Sequence, residues 1–229
     1  IAVVASDAVT STAGMVLGHA SAIFRTDNAS AVTIAGAIDG GTAAGTEGKI
    51  DVEGAGTVTF SGALGATNDA AQLKEIDIND THTAVFSSTV DAKTITVEGT
   101  ATFTGVATGT IIDLNGGDAT FTAKLIETTG GTSSINIDAT SRATFNFGHT
   151  TDTSSNVIDT VTTAAAGVIE LTTGLTNGMY VFKTADQDAA TLNATSKMYM
   201  PVNLTNGQTL VMFSDTDAGG DVDTRLDSI

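Results

Sequence analysis

Five times between residues 50 and 145 the chain writes an aliphatic triplet, a turn, and then a Thr-Phe or Val-Phe pair. The units are Ile50-Asp51-Val52 with Thr59-Phe60, Ile76-Asp77-Ile78 with Val85-Phe86, and Ile95-Thr96-Val97 with Thr102-Phe103. Ile112-Asp113-Leu114 with Thr120-Phe121 and Ile135-Asn136-Ile137 with Thr144-Phe145 complete the series. The leading Ile precedes the Phe by 8 to 10 residues, and successive Phe residues stand 26, 17, 18 and 24 apart. A repeat of this length is one supersecondary unit that cannot bury its apolar face alone, so it must stack on its neighbours.

Alternation along a strand puts the outer two residues of each triplet on one face and the middle residue on the other. The middle residues, Asp51, Asp77, Thr96, Asp113 and Asn136, are all polar. After each triplet comes a turn pair: Glu53-Gly54, Asn79-Asp80, Glu98-Gly99, Asn115-Gly116 or Asp138-Ala139. Such residues reverse a chain cheaply. Stacked coil on coil, equivalent positions fall about 4.8 Å apart, so Phe60, Phe86, Phe103, Phe121 and Phe145 form one interior column and the Ile residues a second. The expected fold is all-β: a β-solenoid, or β-helix-like stack, of about 17–26-residue units.

Composition agrees. The chain has 229 residues, 25 Gly but only 1 Pro, and 41% hydrophobic residues, many of them Ala. That profile suits many short strands and a thin core. The organisation reads as N-terminal strands over 1–48, the repeat solenoid over 49–150, and a more irregular β-rich portion or cap over 151–229. In the first segment Ala31-Val32-Thr33-Ile34 and Ile38 read as strand, and Ile23-Phe24 as an earlier, divergent unit. In the last, Val168–Leu171, Met179–Phe182, Met198–Met200 and Leu210–Phe213 read as strands with larger residues, with corners at Thr176-Asn177-Gly178 and Thr205-Asn206-Gly207. The best helical stretch is one short turn at Ala70–Lys74, and loop insertions are expected at Gly65–Leu73 and Glu127–Ser133.

Nine Lys and Arg against 26 Asp and Glu give a net charge of -17, which argues against nucleic acid and anionic membranes as partners. No stretch is long and apolar enough for a transmembrane helix. Asp favours turns and binds hard cations, so the imbalance reads either as calcium binding or as a solvated acidic surface. The densest acidic cluster is Asp215, Asp217, Asp221 and Asp223, at alternate positions around Gly219-Gly220. It is the candidate calcium site, although Leu226 stands where an EF-hand places its bidentate Glu. A stacked column of Asp51, Asp77 and Asp113 is a second place where like charges need either a bridging cation or dilution by Thr96.

No catalytic constellation is legible. His19, His82 and His149 each lack a second ligand at metal spacing, there is no nucleophile elbow, and the basic residues are spread thinly along the chain. Cysteine is absent, so neither disulfides nor thiol chemistry operate. Ile1, rather than Met, reads as the start of a processed or partial product whose signal segment is gone.

The phrases Thr57-Val58-Thr59-Phe60-Ser61-Gly62, Ala101-Thr102-Phe103-Thr104-Gly105 and Ile112-Asp113-Leu114-Asn115-Gly116 resemble bacterial β-strand-repeat surface proteins. These include S-layer-like proteins and autotransporter passenger domains of the rickettsial outer-membrane antigen type. The resemblance spans Lys49 to Phe147, and loosely Thr205 to Asp217. It implies a secreted or cell-surface solenoid that forms a layer, sheath or filament as a homo-oligomer or polymer, with no catalytic residues to carry over. Ile1 to Val4 are expected to serve as a donated strand in such an assembly. Two alternatives stay open: an adhesin that binds a surface glycan or host receptor, and a carbohydrate-active β-helix enzyme.

Overall fold

The structure, a computed structural model, describes residues 2–43, 45–65, 71–122, 125–126, 134–138 and 140–145, and beyond them the strands at 160–163, 168–171, 179–184, 197–199, 209–214 and 224–226. These residues contain strands and turns and no helix. Leu73 and Lys74, read as part of a helical turn, belong instead to the strand Leu73–Ile78. Leu73 is fully buried there, and tertiary packing overrides its helical propensity.

Three columns of parallel strands build the solenoid. The first sheet stacks Ala2–Ala5, Ile23–Asp27, Glu47–Glu53, Leu73–Ile78, Val90–Val97, Ala107–Leu114, Ser134–Ile137 and Thr160–Thr163. The second stacks Val9–Thr10, Val32–Ala35, Thr57–Phe60, Thr83–Phe86, Thr100–Phe103, Asp118–Phe121, Arg142–Phe145, Val168–Leu171 and Lys197–Tyr199. The third is thinner: Met15–Leu17 pairs with Ile38–Gly40, and single bridges carry the column through Leu64 to Val90. A separate sheet joins Met179–Thr184 in parallel to Thr209–Ser214, which pairs antiparallel with Thr224–Leu226.

Register is set by the side chains that must point inward, because a slip of one residue would turn every apolar group outward. In the first sheet Phe24, Ile50, Ile76, Ile95, Ile112 and Ile135 share one inward column. In the second, Ile34, Phe60, Phe86, Phe103 and Phe121 do the same, and the strand register runs on to Phe145 and Leu171. Ile38, Leu64, Val90 and Ala107 line the third side and are buried. The divergent unit at Ile23-Phe24 is thus a full coil in which the two residue types have changed places: its Phe sits in the Ile column and its Ile in the Phe column.

Stacking does not begin at residue 49. Pairing links Ala2–Ala5 to Ile23–Thr26 and Ile23–Asp27 to Lys49–Glu53, so these N-terminal strands are coils of the same stack. Ala2–Val4, within the segment expected to be donated, pairs with Ile23–Arg25 of the same chain.

The unequal repeat length has a simple origin. Partners in the first sheet stand 26, 26, 19, 17 and 23 residues apart. In the short coils one continuous strand, Val90–Val97 or Ala107–Leu114, serves both the third side and the first sheet. In the longer coils separate strands serve the two sides, Ile38–Gly40 before Glu47–Glu53 and the Leu64 bridge before Leu73–Ile78. Most of the insertion expected at Gly65–Leu73 lies outside the described residues, and Leu73 itself is strand; the insertion expected at Glu127–Ser133 also lies outside them. So do the corners read at 176–178 and 205–207.

Between the first and second sheets the chain turns sharply. Gly54 takes φ +99° there, and a Cβ would collide with the backbone of Asn28 in the coil beside it. In the next coil the left-handed position falls on Thr81, φ +66°, one residue beyond the Asn79-Asp80 pair.

Candidate functional site

The outward side of the first sheet carries the ion pairs of Arg25 and Lys49. Arg25, Asp51, Asp77, Thr96, Asp113 and Asn136 occupy one column, coil by coil. Beside it run Ile23, Lys49, Glu75, Thr94, Ile111 and Ser134. Each cation reaches the carboxylates of the following coil. Arg25 donates to Asp51 Oδ2 from Nε at 3.0 Å and from Nη2 at 2.7 Å, and its Nε lies 3.6 Å from Glu53. Lys49 Nζ lies 3.0 Å from Glu75 Oε1 and donates to Asp77 Oδ2 at 2.8 Å.

This arrangement answers the repulsion expected of stacked aspartates. Asp51 had been read as an outward acid, yet it is only 4% exposed. Arg25 covers one carboxylate oxygen, and Asn79 Nδ2 donates to the other at 2.8 Å. Lys49 neutralises Asp77, and Thr96 then separates Asp77 from Asp113. The chain supplies its own counter-charges at the first two aspartates of the column, and among the described residues no group of three or more His, Cys, Asp or Glu is arranged to hold a metal ion.

The basic residues are therefore not all scattered. Arg25 and Lys49 are 24 residues apart, close to one long coil, and the stack converts that spacing into adjacency. The hydrogen bond and charge of Asp51, helped by Glu53, hold the Arg25 guanidinium above its ordinary titration range. Burial opposes the charge on Lys49, but the hydrogen bonds and charges of Asp77 and Glu75 outweigh it and raise the ammonium above the usual lysine range. On the third side, burial alone lifts the carboxyl of Asp39 above its ordinary range.

Other sequence candidates are placed as follows. His19 is at an exposed turn, its Nδ1 2.8 Å from the hydroxyl of Ser21 and accepting the Ser21 N–H at 3.0 Å. His82 lies in the corner between the first two sheets, with its Nδ1 buried and without a hydrogen-bond partner. His149 and the candidate calcium ligands Asp215, Asp217, Asp221 and Asp223 lie outside the described residues.

A second region is the coil of Ala2–Ala5, Val9–Thr10 and Met15–Leu17. Val3 follows the inward Ile column, Val9 the inward Phe column, and Met15 the third inward column. Their partners Phe24, Ile34 and Ile38 in the next coil are buried, whereas Val3 is 43% exposed and Val9 and Met15 are half-buried. The chain matches no protein-family model, no curated protein and no solved structure.

Proposed function

We propose that this chain is a structural subunit of an extracellular surface assembly, such as a layer, sheath or filament, built by self-association of β-solenoid subunits. The observation that supports the proposal is the in-register stack of parallel coils, which pairs the backbone coil by coil around one continuous apolar interior. A stack of this kind extends by adding coils, and a second copy of the chain offers strands of the same register and the same apolar columns. The likeness to bacterial strand-repeat surface proteins supports an extracellular setting.

Electron microscopy and sedimentation of the purified chain test the proposal. The expected result is ordered polymers with subunits joined end to end. A wild-type chain that stays monomeric at high concentration would overturn it.

A further inference from the structure

The outward side of the second sheet is chemically unlike the first. Val58, Phe60, Ala84, Phe86, Ala101 and Phe103 point inward and are buried, so the residues alternating with them face out. Over three consecutive coils those outward residues read Thr57-x-Thr59-x-Ser61, Thr83-x-Val85-x-Ser87 and Thr100-x-Thr102-x-Thr104. The strands carrying them are parallel and in register, Thr83 beside Thr57 and Thr100, Val85 beside Thr59 and Thr102. Backbone pairing extends past the strand ends, from Ser87 N–H to Phe60 O and from Thr104 N–H to Phe86 O, so the third position is in step too. The fourth coil adds Thr120 and Thr122, with Asp118 at its edge.

Nothing on these three coils of the array is charged, in a chain with 26 acidic residues. Nor does an aromatic ring face out, since Phe60, Phe86 and Phe103 are all interior. What remains is a grid of hydroxyls and methyls repeating about 4.8 Å between coils and about 6.7 Å along each strand. Threonine is stiff about χ1, and the stack fixes it further. Thr104 donates its hydroxyl to Phe86 O at 2.9 Å, and Thr122 donates to Phe103 O at 3.0 Å. The array is thus ordered before anything binds, which lowers the entropic cost of binding.

We infer that this face binds the surface of crystalline water, that is, ice. Chemistry selects the ligand. A protein partner laid on the grid would remove water from rows of hydroxyls without supplying partners at every position, which is costly. A sugar polymer would meet neither exposed rings nor charge. An ordered water layer meets the conditions: it donates to the hydroxyl oxygens, accepts the protons of those hydroxyls that do not already donate to the backbone as Thr104 and Thr122 do, tolerates the methyls between them, and repeats in two dimensions as the grid does. The inference uses a lateral face and does not depend on end-to-end assembly.

Thermal hysteresis and partition of the purified chain into a slowly growing ice front read the binding. The wild-type chain should depress the freezing point below the melting point and enter the ice. Thr102→Tyr, which puts bulk at the middle position of the third coil, between Val85 and Thr120, should lose both effects, whereas Thr96→Tyr on the outward side of the first sheet should keep them. Circular dichroism melts establish that each variant is folded, and Thr59→Lys serves the same purpose if Thr102→Tyr is not. Exclusion of the wild-type chain from ice overturns the inference, as does retention of hysteresis in both grid variants. Loss of self-association in the grid variants of a chain without hysteresis also overturns it, and assigns the face to a second copy instead.

Discussion

Phe86 and Phe103 lie one coil apart with ring centroids 4.7 Å from each other and planes inclined by 13°. Phe60 continues the stack on one side at 5.5 Å and Phe121 on the other at 5.0 Å. These rings are at most 1% exposed, and Phe86 and Phe103 combine full burial with a stacked ring on both faces. Phe103→Ala should therefore cost about 3–5 kcal/mol, the range for a large aromatic deleted from a close-packed core, and Phe103→Leu distinctly less. Urea unfolding monitored by circular dichroism measures both. A loss below 1 kcal/mol for the alanine variant would mean that the column is not what holds neighbouring coils together.

Room for that stack comes from the residues two positions earlier. Val58, Ala84, Ala101, Ala119 and Ala143 form an inward column, all buried. Large rings and small methyls thus share the cross-section of each coil. Ala101→Leu should overpack this column and cost about 1–3 kcal/mol. The same substitution at exposed Ala55 should be nearly neutral. Equal effects at the two sites in thermal melts would refute the packing argument.

The alanine column shows where sequence reading stops. Phe and Ile are rare and bulky, so their recurrence at 8 to 10 residues exposes the coil and its inward face. Ala recurs everywhere in this chain, so its regular place before Phe carries little signal on its own. The third side is fainter still. Leu17, Ile38, Leu64, Val90 and Ala107 belong to no fixed phrase, because that side is reduced to single bridges where the loops of the long coils enter. The ionic face was half legible. Asp51 and Asp77 announce an acidic column, but their cations come from Arg25 and Lys49, each in the coil before its carboxylate, and only register brings them together.

Lys49 links its coil to the next through Glu75 and Asp77. Lys49→Met keeps most of the stem and removes the ammonium, and should cost about 1 kcal/mol near neutral pH, because the pair is partly exposed. The pH dependence follows from the raised folded-state value. Lysine stability from this source is complete below its ordinary value, about 10.4, and is lost as pH rises through the higher folded one. The melting-temperature gap between wild type and Lys49→Met should hold from pH 7 to about 10 and then close. A gap that widens in alkali would contradict the assignment.

Asp138 organises the corner after Ile137 by accepting the Thr140 N–H at 2.9 Å, the Thr140 hydroxyl at 3.0 Å and the Ser141 hydroxyl at 2.6 Å. Ser141 is buried, its one hydroxyl proton lies between Asp138 and Leu114 O, 2.7 Å away, and its oxygen accepts the Gly116 N–H at 3.0 Å, so the corner ties two coils together. Burial raises the Asp138 carboxyl, but the hydrogen bonds from Ser141 and Thr140 outweigh it and hold the group below the usual aspartate range. A lowered carboxylate stabilises the fold above its unfolded value, about 3.9, and the gain disappears as pH falls through the folded one. Asp138→Ala should thus lower stability by about 1 kcal/mol at pH 7, and the difference should fade as the pH drops below about 4 toward 2. Paired urea titrations across that range test it. A difference independent of pH would show that the corner depends on the size of the side chain and not on its charge.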